Sequence, residues 1–116
     1  MYRIQVEQQD SQPALLRAEG ELDAFAAGDI TAAFLEAGAA LAVVADLSAV
    51  SFLDSTALGL IVRGVREIRE RGGRARVVLP RTTARRIFEI TTLDRVLPVA
   101  ESHADAVSAL AADREA

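Results

Sequence analysis

The sequence predicts one α/β domain. A mostly parallel sheet of about five strands carries an antiparallel N-terminal edge strand and is covered by about four helices. Three observations predict this. The chain has 116 residues, room for a single core. Strand and helix patterns follow one another in the order β-β-α-β-α-β-α-β-α, and alternation implies crossovers and parallel pairing. The run Leu41-Ala42-Val43-Val44-Ala45 has no polar face, as a central strand covered on both sides requires.

Arg3 to Gln8 alternates apolar and polar, with Ile4 and Val6 on one face, and reads as the first strand. Asp10-Ser11-Gln12-Pro13 is a turn, and Ala14 to Glu19 returns as an antiparallel second strand that Gly20 ends. Ala26 to Ala37 is helical, with Ile30, Ala33, Phe34 and Ala37 at spacings of three and four, and Gly38 stops it. The central strand follows, and Asp46 marks the start of a polar loop. Ser55 to Arg71 is the longest helix, with Leu58, Ile61, Val62, Val65 and Ile68 as its apolar stripe. Arg63–Glu67, Arg66–Glu70 and Glu67–Arg71 are pairs at spacing four, each worth a few tenths of a kcal/mol. Gly72-Gly73 turns the chain into a strand over Arg76 to Leu79, which Pro80 closes. Thr83 to Ile90 is a short helix, Val96 to Val99 a weak last strand, and Ala104 to Ala112 a final helix with Val107, Leu110 and Ala111 inward. All 116 residues form the single domain, with the last few frayed.

Composition removes whole classes of chemistry. The 13 basic residues are all arginine, so no lysine is present for a Schiff base or a phosphate loop. There is no cysteine, hence no disulfide, thiolate nucleophile or cysteine-built metal site, and one histidine, His103, makes no metal cluster. No metal and no cofactor are expected. The net charge of −4 disfavours nucleic acid as a direct partner. No stretch of 18 uncharged apolar residues predicts a membrane span, and Met1 to Glu7 lacks the apolar core of a signal peptide. A soluble cytoplasmic protein is the simplest expectation.

The informative segment is Asp46-Leu47-Ser48 through Phe52-Leu53-Asp54-Ser55-Thr56-Ala57-Leu58-Gly59. It runs from the central strand into the longest helix, at the sheet end where sites of open α/β folds tend to lie. Asp54, Ser55 and Thr56 at a helix entrance are first of all caps for free amides. Ser55 as a hydrolytic nucleophile lacks a G-x-S-x-G elbow, a nearby histidine and any lysine base. Ser55 as a phosphate acceptor needs no base of its own. Phosphate would add about −1.5 to −2 charges at a helix N-terminus that tolerates them, beside Asp54, and would repel a docked partner.

Two motifs resemble those of the anti-sigma-factor antagonists, single-domain members of the STAS fold. They are Gly20-Glu21-Leu22-Asp23 and the Asp46–Gly59 segment just quoted, and element order and length match as well. The resemblance implies a binding module, not an enzyme. It implies that Ser55, rather than Thr56, is the phosphorylation site, and that the unphosphorylated form binds an anti-sigma-factor serine kinase and so frees the sigma factor. Phosphorylation of Ser55 switches binding off, and a serine phosphatase reverses it. Asp23, Asp54, Ser55, Thr56 and Ala57 would form the partner-facing rim, with Asp54 orienting the Ser55 hydroxyl. Asp23 is equally a cap for the helix after it. Many members carry glycine at the position of Ala57. Alanine favours helix by about 1 kcal/mol, and its methyl group is expected to crowd a kinase there.

Two other readings stay open. A STAS scaffold subunit of a larger signalling or transport complex needs no phosphate cycle. A small-ligand carrier or hydrolase would use the strand-end crevice. Arg81, Arg85 and Arg86 form a basic cluster that reads as a solvated face or a contact for an acidic patch. Gly72-Gly73 reads as a turn, and His103 has no assigned role.

Overall fold

The structure, a computed structural model, describes residues 1–8, 12–79 and 98–115. Five strands, β1 (Tyr2–Glu7), β2 (Ala14–Leu22), β3 (Ala42–Leu53), β4 (Arg74–Val78) and β5 (Val99–Ala100), lie side by side in chain order. The β1–β2 pair is antiparallel and the other pairs are parallel, as the element order predicts. Among the described residues the helices are α1 (Ala27–Ala37), α2 (Ser55–Glu70) and α3 (His103–Glu115), with a 3-10 turn over Ala24–Ala26 before α1. The helix expected at Thr83 to Ile90, the Arg81, Arg85, Arg86 cluster, Asp10 and Ser11 of the expected turn, Pro80, and positions 96–97 of the expected last strand lie outside the described residues, and that strand is seen as Val99–Ala100.

The period-two and period-3.6 patterns resolve into two layers of core. On one face of the sheet, Leu16, Ala18, Val43, Ala45, Leu47 and Val77 meet Ile30 and Phe34 of α1 and Ile61, Val65 and Ile68 of α2. On the other, Leu15, Val44 and Val78 meet Ala106 and Leu110 of α3. Ala111 is exposed rather than inward, because α3 rests on the sheet through Ala106 and Leu110, four residues apart. Gly64 is what lets α1 and α2 close. A methyl group there would stand 2.4 Å from Phe34 Cγ. Of the spacing-four pairs on α2, Arg63 and Glu67 meet at 3.0 Å, on the surface.

Two strand ends differ from expectation. Gly20 does not terminate β2, which runs on to Leu22. Its φ of +85° and the shift in pairing beside it mark an irregularity that the strand passes through. A side chain at Gly20 would collide with the Met1 carbonyl at 2.3 Å, so a residue without Cβ is required. Likewise β3 does not end at Asp46 but pairs with β2 as far as Leu53. Asp46 is buried at 5% exposure. Its Oδ1 accepts from the Ser48 amide (2.9 Å) and its Oδ2 lies 3.8 Å from Arg17 Nε. Beyond it Leu47, Val50 and Leu53 keep packing inward, and this burial extends the strand through a polar-looking stretch.

Tyr2 ties β1 to α1. Its hydroxyl donates to Asp29 Oδ2 at 2.5 Å. That bond above all, together with partial desolvation and the charges of Asp29 and Asp23, raises the phenol above the usual tyrosine value of about 10. Tyr2 is the single tyrosine, so absorbance at 295 nm reports it alone. The titration midpoint is expected above that of free tyrosine, and Asp29→Asn is expected to bring it back down. The neutral phenol stabilises the fold fully below about pH 10, and the contribution is lost as pH rises through the raised value. A wild-type midpoint equal to that of Asp29→Asn would show that the bond is absent in solution.

Candidate functional site

The site is built where β2 and β3 end together. Leu22 and Leu53 are register partners and both are buried. The residues after them, Asp23 and Asp54, therefore emerge side by side at the same end of the sheet. The Asp54 amide donates to the Leu22 carbonyl (3.1 Å), which holds the two strand ends together.

Each aspartate then starts a helical turn. Asp23 caps the 3-10 turn, its Oδ1 accepting from the Phe25 amide at 3.0 Å. Asp54 is the N-cap of α2, extended at φ −88° and ψ 174°, and its Oδ1 accepts from the Ala57 amide at 2.8 Å. Its second oxygen reaches across, accepting from the Ala24 amide at 3.1 Å. One carboxylate thus bridges the start of the 3-10 turn and the start of α2. Both of its oxygens serve backbone amides, so Asp54 positions the backbone that carries Ser55.

Ser55 is the first residue of α2 and Thr56 the second, and both are exposed. Asp23 is half-buried beside them and Glu21, on the same strand end, is exposed. Ala57 is 0% exposed. Its methyl group belongs to the core that also holds Leu58 and Ile61, and it does not face an approaching protein. Its part in the site is its amide, which Asp54 holds.

Two residues of this end went unnoticed in the sequence. Phe25 is 92% exposed and Phe52 51% exposed, the first on the turn bound by both aspartates, the second at the end of β3. Leaving a phenylalanine in water forgoes about 1.5–3 kcal/mol of burial. A signal was available for Phe52, which follows Ser51 in a stretch whose inward positions are already filled by Val50 and Leu53. For Phe25 none was, because a turn imposes no periodicity. The same sheet end thus carries the carboxylates of Glu21, Asp23 and Asp54, the exposed Ser55 and Thr56, and the exposed Phe25 on its turn. Among the described residues no group of His, Asp and Glu is placed to hold a metal ion, and no helix is long and apolar enough to cross a membrane.

Comparison with known proteins gives a consistent result. The model of the family described as STAS domain matches residues 3–106. The anti-sigma F factor antagonist of Lysinibacillus sphaericus is 30% identical over 93 residues, covering 78% of this chain and 80% of that protein. An anti-sigma factor antagonist from Mycobacterium paratuberculosis superposes with a TM-score of 0.84 at 28% identity, covering 95% of this chain and 94% of its own. The antagonist SpoIIAA, solved in its unphosphorylated form, gives 0.73 at 26% identity over 98% of both chains. The Bacillus SpoIIAA in its phosphorylated form gives 0.67 at 27% identity over 98% of this chain and 100% of that one.

Proposed function

The chain belongs to the STAS domain family, and from that premise we propose that it is an anti-sigma factor antagonist switched by phosphorylation of Ser55. The relatives' names support the antagonist reading, and SpoIIAA is known in a phosphorylated form. The observation that carries the proposal is the exposed Ser55 hydroxyl on a helix start that Asp54 fixes against the Phe25 turn. Unmodified, this edge binds an anti-sigma-factor serine kinase in the cytoplasm, which then releases its sigma factor. The kinase moves the γ-phosphoryl group of ATP onto Ser55 Oγ, the bond to the ADP oxygen breaks, and the hydroxyl proton leaves to a base of the kinase. A serine phosphatase hydrolyses the ester and restores binding. The chain contributes an acceptor and a docking edge; the catalytic groups belong to its partners.

Intact mass tests this directly. With the cognate kinase and ATP, wild-type protein is expected to gain one phosphate and Ser55→Ala none. Modification that persists in Ser55→Ala would move the acceptor to Thr56 or elsewhere. Wild type left unmodified while held stoichiometrically in a large assembly would favour the scaffold-subunit reading. Ester hydrolysis that disappears in Ser55→Ala would make the chain an enzyme.

The aromatic pair gives a second prediction. Phe25→Ala is expected to change stability by no more than about 0.5 kcal/mol, since its side chain lies in solvent. Kinase affinity should nevertheless fall about 30-fold, the loss usual for an aromatic anchor. Calorimetric titration of the variant against the unmodified kinase measures this, and an unchanged affinity would remove Phe25 from the contact surface.

A further inference from the structure

The first strand of the sheet is an open edge whose start lies beside the Glu21 end of β2. β1 is the terminal strand, and among the described residues it pairs with β2 alone. It is six residues long, and its register with β2 runs without a break from Tyr2–Gly20 to Glu7–Leu15. Proline, a bulge or extreme shortness would blunt such an edge, and β1 has none of them. The Glu21 amide donates to the Met1 carbonyl. Because hydrogen-bonded pairs alternate along an antiparallel ladder, Arg3, Gln5 and Glu7 bond to β2 while the backbone groups of Tyr2, Ile4 and Val6 point outward. Beside this edge runs an open groove of about 300 Å³ between β1 and α1, lined by Ile4, Val6, Ala32 and Ala33 and by the polar Tyr2, Arg3, Asp29 and Glu36. Ile4 and Val6 are only half-buried in it.

The residues of β1 select what fits. In an antiparallel pair, residues directly opposite share a face. If a second copy of β1 is laid against the first with Gln5 opposite Gln5, Arg3 stands opposite Glu7 of the second copy and Glu7 opposite its Arg3. On the inner face Ile4 meets Val6, and Val6 meets Ile4, each pair exchanging the outward amide and carbonyl bonds. Moving the register by two residues either way separates Arg3 from Glu7. The charges that would repel an arbitrary strand thus match a copy of themselves in a single register. We infer that β1 is a self-pairing edge through which two copies of this chain join antiparallel into one continuous sheet. Ile4 and Val6 of the second copy then lie beside the half-buried Ile4 and Val6 on the face that α1 covers. Ser55 begins α2, after the end of β3, and takes no part in this pairing, so the inference stands apart from the proposed function.

A chain without cysteine makes the test clean. Gln5 would face Gln5 in a non-hydrogen-bonded pair, whose Cα atoms lie about 4.5 Å apart, within disulfide reach. Under mild oxidation Gln5→Cys is expected to convert almost wholly to a covalent dimer of twice the 12.4 kDa chain mass. Ser48→Cys, exposed on β3, is expected to stay monomeric. In sedimentation, Arg3→Glu should weaken association about tenfold or more, and the exchange Arg3→Glu with Glu7→Arg should restore it. That exchange does not restore the Arg3–Glu19 pair within the chain (3.4 Å), so recovery reads the contact between copies. Equal cross-linking of Gln5→Cys and Ser48→Cys would overturn the inference. So would wild type that sediments as a monomer at millimolar concentration, or an exchange variant as weak as Arg3→Glu alone.

Discussion

Protein phosphorylated at Ser55 is expected to bind the anti-sigma kinase at least about 100-fold more weakly than unmodified protein. The modification adds about −1.5 to −2 charges and three acceptor oxygens to an edge that already presents Glu21, Asp23 and Asp54. At the first residue of α2 the helix dipole and the free first-turn amides tolerate that charge, so the fold itself should be little changed. A docked partner surface has no such latitude. It must match an acidic, aromatic edge and then meet a doubly charged ester in its centre, where like-charge contact costs several kcal/mol. Each 1.4 kcal/mol is a factor of ten. Titration of kinase against wild type, stoichiometrically phosphorylated protein and Ser55→Asp should rank them in that order of falling strength between the first two, with the single-charge mimic in between. Phosphorylated protein that binds as tightly as unmodified protein would refute repulsion as the switch.

Asp54→Ala is expected to destabilise the domain by about 3 kcal/mol, the largest effect of any substitution at the site. Removing an N-cap costs about 0.5–2 kcal/mol, and the second charge-assisted bond, to Ala24, adds a contribution of about 1.5 kcal/mol or more. Asparagine caps as well as aspartate but offers one oxygen. Asp54→Asn should therefore keep the Ala57 bond, lose the Ala24 bond, and fall near the middle. Asp23→Ala loses only the Phe25 amide bond of a short turn and should cost about 1 kcal/mol. Urea unfolding of the three variants measures the series. If Asp54→Ala is no worse than Asp23→Ala, the carboxylate does not join the two turns in solution. Kinase affinity should fall in Asp54→Asn as well, since Phe25 and Ser55 are then no longer held in one geometry.

Much of this was legible in the chain. Leu58, Ile61, Val65 and Ile68 recur at helical spacing and lie buried on α2, and the unbroken run ending in Val43-Val44-Ala45 lies in the middle of the sheet, covered on both faces. The Asp54-Ser55-Thr56 cluster was readable as a helix entrance because capping is local chemistry between residues three apart. Periodicity and capping depend on neighbours in sequence, and the sequence by itself therefore determined the order of the described elements, the parallel sheet and the position of Ser55. The tertiary structure alone decided that Gly20 carries β2 onward, that β3 extends past Asp46, that Ala57 turns inward and that Phe25 stays in water. It also decided that the second oxygen of Asp54 closes on Ala24, thirty positions away. Each of these depends on which backbone lies across from which, and no spacing within one segment encodes the distance to another.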